Sequence, residues 1–169
     1  MKKYKESARI YVACLAAYNS GVLHGEWIDL DECSFDKDAV LAEIQEMLSN
    51  SPKKNAEEWA IHDYEGLHNI SQYEEIEEVC KQGELFDEYG VAAKVLLPEV
   101  MSVEEAKNIL EDGYSIYESY EDYALEYVED CLGLELPNFL VVDWDRTGRD
   151  LAMDKTVIRS CGELYFFNR

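Results

Sequence analysis

Basic residues are scarce in this chain: 15 lysines and arginines stand against 37 aspartates and glutamates in 169 residues, a formal net charge of −22. That scarcity excludes nucleic acid and anionic membrane as direct ligands, because both need a positive surface. It leaves cations, or proteins whose own binding site is basic. No apolar run reaches transmembrane length, and no signal-peptide pattern is present. The five cysteines (14, 33, 80, 131 and 161) form no C-x-x-C pair. Such a dispersed, odd set reads as reduced, mostly core-filling thiols in a cytoplasmic protein. The three histidines (24, 62 and 68) have no metal-ligand spacing. A Gly-rich phosphate loop, a zinc pattern and a supported Ser/His/Asp arrangement are all missing, so no cofactor or metal is expected. Asp63 and Glu65 flank the region of His62, but neighbouring strand residues face opposite ways, which spoils an acid–base cluster.

What is present is acid, unevenly placed. From Glu57 to Glu135 the chain carries 23 Asp/Glu against three lysines (Lys81, Lys94, Lys107), a net of −20. The flanks together contribute only −2. A hydrophobic content of 47% still permits a folded chain.

The sharpest pattern runs from Tyr114 to Cys131. Placed on a helix at ~100° per residue, Tyr120, Tyr123, Ala124, Tyr127, Val128 and Cys131 share one side. Glu118, Asp122, Glu126 and Glu129 share the other, with no lysine or arginine among them. A charge run is most often a solvated helix face or a disordered tail. Five tyrosines (114, 117, 120, 123, 127) interleaved with the acids argue against disorder. Like charges at i,i+4 cost a few tenths of a kcal/mol per pair, so a sequence tuned only for stability would intersperse lysines.

In chain order, Arg9–Tyr18 and Leu23–Leu30 read as a strand hairpin turned at Asn19-Ser20-Gly21. Asp36 caps a helix to about Leu48 with Val40, Leu41, Ile44, Met47 and Leu48 on one face. Glu58–Tyr64 reads as a third strand. Ser71-x-x-Glu74 forms a capping box for a helix stopped at Gly83, followed by helices over 84–89 and 91–97. Ser102-x-x-Glu105 opens another, with Val103, Ala106, Ile109 and Leu110 inward. Phe139–Val142 reads as a buried strand, Trp144–Met153 as a short helix that Gly148 weakens, and 156–159 with 164–167 as a strand pair around Cys161-Gly162.

Two motifs in this reading carry a family likeness. IYVACLAAYNSGVLHGEWIDL, followed by EWAIHDYEGL, closely resembles the amino-terminal region of the ArdA antirestriction proteins. Tyr18, Asn19, Gly21, Leu23, Gly25, Trp27, Ile28 and Asp29 stand where that opening motif places them. Asp143-Trp144-Asp145 and Arg149-Asp150-Leu151 look, more loosely, like later family elements, and Gly148 departs from the pattern. The family's antirestriction motif would fall near Glu126 to Leu140. The resemblance implies an elongated homodimer, encoded on mobile elements such as conjugative transposons or plasmids and acting in the bacterial cytoplasm. It implies occupation of the DNA-binding groove of type I restriction–modification enzymes, against their specificity and modification subunits, without catalysis.

The expected fold is α+β, an elongated chain of three small domains: residues 1–66 (ββαβ), 67–112 (acidic helical bundle) and 113–169 (α+β). The expected DNA-mimicking acids are Glu74, Glu75, Glu77, Glu78, Asp87, Glu88, Glu104, Glu105, Glu111 and Asp112, then Glu118, Glu121, Asp122, Glu126, Glu129 and Asp130. The near-neutral carboxy-terminal third, including Arg146, Arg149, Lys155, Arg159 and Arg169, is where two acidic chains could meet. Phe139, Val141, Trp144, Tyr165 and Phe167 are the expected dimer contacts. Three alternatives stand beside this. Asp143-x-Asp145-x-Thr147 after a strand resembles the opening motif of haloacid-dehalogenase-like phosphatases. Asp143, Asp145, Gly148 and Asp154 partly fit a calcium loop; local capping or pairing of Asp143 with Arg146 or Arg149 is the simpler reading. An acidic binding protein for another basic partner fits the charge equally well.

Overall fold

A computed structural model describes residues 7–133, 136–137 and 139–168. Among these residues are seven α-helices and two three-stranded antiparallel sheets, an α+β architecture. The chain divides into two compact units, residues 1–103 and 104–169.

In the first unit, β1 (Arg9–Cys14) is the central strand of a sheet ordered β2-β1-β3, with β2 at Gly25–Asp29 and β3 at Trp59–Glu65. Alternation sends Ile10 and Val12 into the core and leaves Arg9 and Tyr11 half-exposed. The expected strand to Tyr18 ends four residues early. Cys14 N–H donates to the His24 carbonyl and Leu15 N–H to that of Glu58. There both neighbours stop pairing, and Leu15–Tyr18 closes into one helical turn, α1. Asp36 caps α2 (Lys37–Ser49), its carboxylate accepting from Ala39 N–H at 2.9 Å. Val40, Ile44, Met47 and Leu48 are its buried stripe.

Only half of the Ser71/Glu74 capping box forms: Ser71 N–H donates to the Glu74 carboxylate at 3.3 Å, but Glu74 N–H donates to the Ser71 backbone carbonyl rather than its hydroxyl, and the two close a turn instead of opening a helix. Ile61 N–H on the edge strand β3 donates to the Gln72 carbonyl, which ties that turn to the sheet edge, and α3 begins only at Ile76. Gly83 does not stop it: α3 runs to Tyr89 and absorbs the expected helix over 84–89. A Cβ at Gly83 would come within 2.7 Å of Leu30 Cδ1, so glycine here serves close packing. Ile76, Val79, Cys80 and Phe86 join the core beneath the sheet, so this helix groups with the amino-terminal strands. α4 (Val91–Leu96) follows, and a 3₁₀ turn over Leu97–Glu99 includes Pro98 instead of ending before it.

α5 (Val103–Glu111) opens at the unit boundary with Ala106 and Leu110 buried. In the second unit, Tyr114–Tyr117 is a strand, β4, not the first turn of a helix. Its four residues pair with Phe167 to Leu164 of β6 (Glu163–Asn168), and this sheet contact overrides the helical spacing. Ser119 then caps α6 (Tyr120–Glu126), and a π-helical turn covers Tyr127–Cys131. α7 spans Trp144–Leu151 and β5 Lys155–Ser160, giving the sheet order β4-β6-β5. The expected 139–142 strand is absent: Leu140 N–H closes a turn onto the Pro137 carbonyl, and the segment joins neither sheet. Phe139 and Val141 are 82% and 99% exposed instead of buried. The side chain of Cys131, and Arg169, lie outside the described residues.

Gly148 sits inside α7 where the helix meets α6. A Cβ on it would fall 2.0 Å from the Tyr120 carbonyl oxygen, a backbone atom that cannot swing aside. Alanine gains about 1 kcal/mol in helix propensity, whereas forced overpacking costs about 1–3 kcal/mol or more. The clash wins. Gly148→Ala is therefore expected to lower the melting temperature; an unchanged or raised value in a thermal scan would disprove the close α6–α7 contact.

Candidate functional site

The acids expected on the surface are exposed, except Glu74 and Glu78, which are half-buried. They differ in what surrounds them. On α3, Lys81 Nζ lies 3.1 Å from Glu77 and 2.8 Å from Glu78, and Lys37 reaches Glu77 at 3.7 Å. The Lys81 hydrogen bond holds the Glu77 carboxyl below its ordinary range. Lys107 lies 4.0 Å from Glu111 on α5. The α3 acids at 77 and 78 are therefore partly neutralised within the chain.

The acids around α6 present a different case. Glu118 lies in the bend before α6, not on the helix, which corrects its expected place in the row. Glu121, Asp122 and Glu126 are exposed on α6, and Glu129 and Asp130 are exposed on the π turn. Among the described residues no lysine or arginine pairs with any of these six. Two of them make neutral contacts. The Ser119 hydroxyl accepts from Asp122 N–H at 3.1 Å and donates to its carboxylate. The Tyr117 hydroxyl donates to Glu126 Oε1 at 2.9 Å.

Behind this acid face lies an aromatic cluster. Tyr123 and Phe166 have ring centroids 4.4 Å apart, and Tyr117 and Tyr120 meet Phe166 edge-on at 5.4 and 5.7 Å. Tyr123 and Ala124 are buried while Tyr120, Tyr127 and Val128 are half-buried. The two-sided character read from the sequence thus holds from Tyr120 onward. Of the stretch Glu126 to Leu140, residues Leu134, Glu135 and Asn138 lie outside the described residues.

The motifs that suggested chemistry have structural occupations. Asp143 caps α7, accepting from Arg146 N–H at 3.1 Å. Asp145 takes Arg149 Nε at 2.8 Å, and the Arg149 guanidinium lies 4.5 Å over the Tyr120 ring. Residues 139–142 before them form no strand, so the strand that the phosphatase-like motif needs is missing there. Among the described residues no three His, Cys, Asp or Glu side chains converge to hold a metal ion, and no helix is long and apolar enough to cross a membrane. Cys14 and Cys80 are buried free thiols, burial pushing Cys80 up to about 11, whereas Cys161 is exposed. Among the expected dimer contacts, Phe139 and Val141 are exposed and Trp144 is half-exposed. Tyr165 and Phe167 are 3% and 0% exposed within their own chain, so they cannot face a partner. In β6 every residue from Leu164 to Phe167 is buried, which the sequence pattern alone does not distinguish from an apolar surface.

A family model described as Antirestriction protein (ArdA) matches residues 10–162. No match is found among curated proteins.

Burial, with the hydrogen bond to Glu126 second, pushes the Tyr117 hydroxyl up to about 12; burial and Glu163 do the same for Tyr165. For an acid whose folded pKa is raised, the native state retains the proton longer than the unfolded chain. This contribution is whole below the ordinary value of 10 and is lost as pH rises toward about 12. Denaturant titrations at a series of alkaline pH values should show stability falling across that window, with a shallower fall for Tyr117→Phe. An equally steep fall in the variant would contradict the assignment.

Proposed function

The chain belongs to the ArdA family of antirestriction proteins, and from that premise we propose that it acts by occupying the DNA-binding groove of a type I restriction–modification enzyme as an acidic stand-in for the duplex. The observation that carries this reading is the acid face of the second unit: six exposed carboxylates without a basic partner among the described residues, mounted on a packed aromatic base. A stability-driven surface would pair them, as α7 pairs Asp145 with Arg149.

B-DNA carries one charge per ~1.7 Å of axis, so the net −20 of residues 57–135 matches the phosphates of about ten base pairs by count. Two chains related by a two-fold axis would match about twenty. Phe139 and Val141, with the half-exposed Trp144, are the apolar side chains available for that pairing. The proposed targets are the specificity and modification subunits, whose groove must be basic to hold DNA. Binding is competitive, no bond is made or broken, and the protein is not an enzyme. The setting is the cytoplasm of a bacterial host carrying a mobile element, and the three-domain division of residues 1–66, 67–112 and 113–169 is part of the same proposal.

Competition between labelled duplex and this protein for a type I methyltransferase core tests the mechanism. The two should exclude each other, and affinity should fall at least about tenfold between low and moderate salt, because the contacts are charge on charge. A ternary complex that still holds duplex in the groove would rule the mechanism out.

Charge neutralisation gives a second expectation. Each exposed carboxylate contributes about as much as an exposed ion pair, ~0.2–1 kcal/mol. Glu126→Gln alone should weaken inhibition by no more than about fivefold. Changing Glu118, Asp122, Glu126 and Glu129 together to amides should weaken it far more, with thermal stability retained or raised as like charges are removed. If Asp143→Asn alone abolished activity in a folded protein, discrete chemistry would replace the distributed-charge reading. If binding were lost to the restriction enzyme but kept toward other basic DNA-binding proteins, the general acidic-partner reading would take over.

A further inference from the structure

The first unit holds a feature that charge alone does not explain. Two adjoining surface cavities, about 350 and 320 Å³, share two lining residues, Trp59 and Tyr73. Trp59 opens the edge strand β3 and is half-buried against the core. Tyr73 is 71% exposed, an unusual setting for a large ring that makes up no core. It sits in the 71–74 turn, which the Ile61–Gln72 backbone bond (2.9 Å) ties to β3 and the Ser71–Glu74 bonds close. Glutamates line both cavities, Glu57 and Glu58 in one, Glu74 and Glu75 in the other, with the Glu74 carboxylate also accepting from Ser71 N–H. One base, Lys37, lines the larger cavity, and its ammonium is 3.7 Å from Glu77.

We propose that Trp59 and Tyr73 seat an arginine side chain of the basic protein partner. A guanidinium is planar and weakly hydrated, so it stacks on aromatic faces while its N–H groups, lying in the plane, reach carboxylates at the rim. An ammonium is compact and strongly hydrated and exploits the same rings less well. The four surrounding glutamates supply charge complementarity, and the rings supply dispersion and cation–π attraction that salt screens less than a bare ion pair. This seat deepens the proposed function and rests on it for the partner's identity. It gives an otherwise distributed charge contact one point of chemical selectivity, with arginine preferred over lysine.

The test uses the full-length, ¹⁵N-labelled chain and a short acetylated, amidated glycine–arginine peptide, with lysine and citrulline counterparts. The Trp59 indole N–H, assigned through Trp59→Phe, is the reporter; Tyr73 is the residue varied, since its exposure leaves the core untouched. The arginine peptide should shift that resonance saturably. Tyr73→Ala should weaken binding about fivefold and Tyr73→Phe should restore it. The lysine peptide should bind more weakly, and the uncharged citrulline peptide should leave the indole unmoved. An unshifted indole with the arginine peptide, equal binding by Tyr73→Ala, or equal binding of either counterpart would overturn the seat. No restriction enzyme is in the titration, so the two ideas fail separately. Peptide binding lost with duplex competition intact removes only the seat; peptide binding intact with no duplex competition removes only the DNA-mimic reading.

Discussion

The acid face of the second unit depends on Phe166. Its ring, buried on the central strand of the sheet, meets Tyr117 from the neighbouring strand and Tyr120 and Tyr123 from α6. Contacts of this kind contribute about 0.5–1.5 kcal/mol each beyond the area they bury. The opposing cost is like-charge repulsion along the helix, such as Asp122 with Glu126, at a few tenths of a kcal/mol per pair. The aromatic side wins by a clear margin. A short helix of seven residues, too short to persist alone, can therefore carry carboxylates without the lysines that would otherwise steady it. Tyr117 links the two sides: its ring packs on Phe166 while its hydroxyl orients Glu126.

The chain handles excess charge in two ways. On α3 a single lysine serves two consecutive glutamates, and Lys37 adds a second contact to one of them. On α7 each arginine faces an aspartate one turn away. The face built on α6 and its flanking turns leaves its six carboxylates to solvent with no basic partner among the described residues. An acid that already has a cation nearby attracts a basic surface less than one that does not, so a tally of Asp and Glu overstates how much of the chain is free to bind. The net charge of residues 57–135 measures attraction at a distance; the unpaired carboxylates measure what a partner can contact.

Much of the architecture was legible in the sequence because local rules and burial agree there. Asp36 caps its helix, the stripe from Val40 to Leu48 faces the core, and Cys161-Gly162 turns the last hairpin. The misreadings arose where a remote contact outranked a local one. Tyr114–Tyr117 has helical spacing with the residues that follow, yet β6 takes it as a strand. Gly83 and Gly148 look like helix stops or flaws until their neighbours, Leu30 and the Tyr120 backbone, are in view. Phe139-Leu140-Val141-Val142 looks like a core strand, but no sheet edge receives it. For the candidate site, the two-faced pattern of residues 120–130 was readable from spacing. The lysine partners within a helix also follow i,i+3 and i,i+4 spacing, but the Lys37 contact was not readable, because it reaches Glu77 from another helix. That Trp59 and Tyr73 line the same cavities depends on an edge-strand bond that no motif announces.

Gly148 also shapes how such a chain can change over generations. On the proposed mechanism the carboxylates of the α6 face answer to a sum, so aspartate can replace glutamate, or a position can move along the face, at little loss. The contact between α6 and α7 answers to a single atom, since any side chain at residue 148 meets the Tyr120 carbonyl. Sequence drift is therefore open on the binding side and closed on the supporting side. If the target is the basic groove proposed above, a lineage pressed to follow its changes can redraw its charges freely, provided it never fills that one gap between two helices.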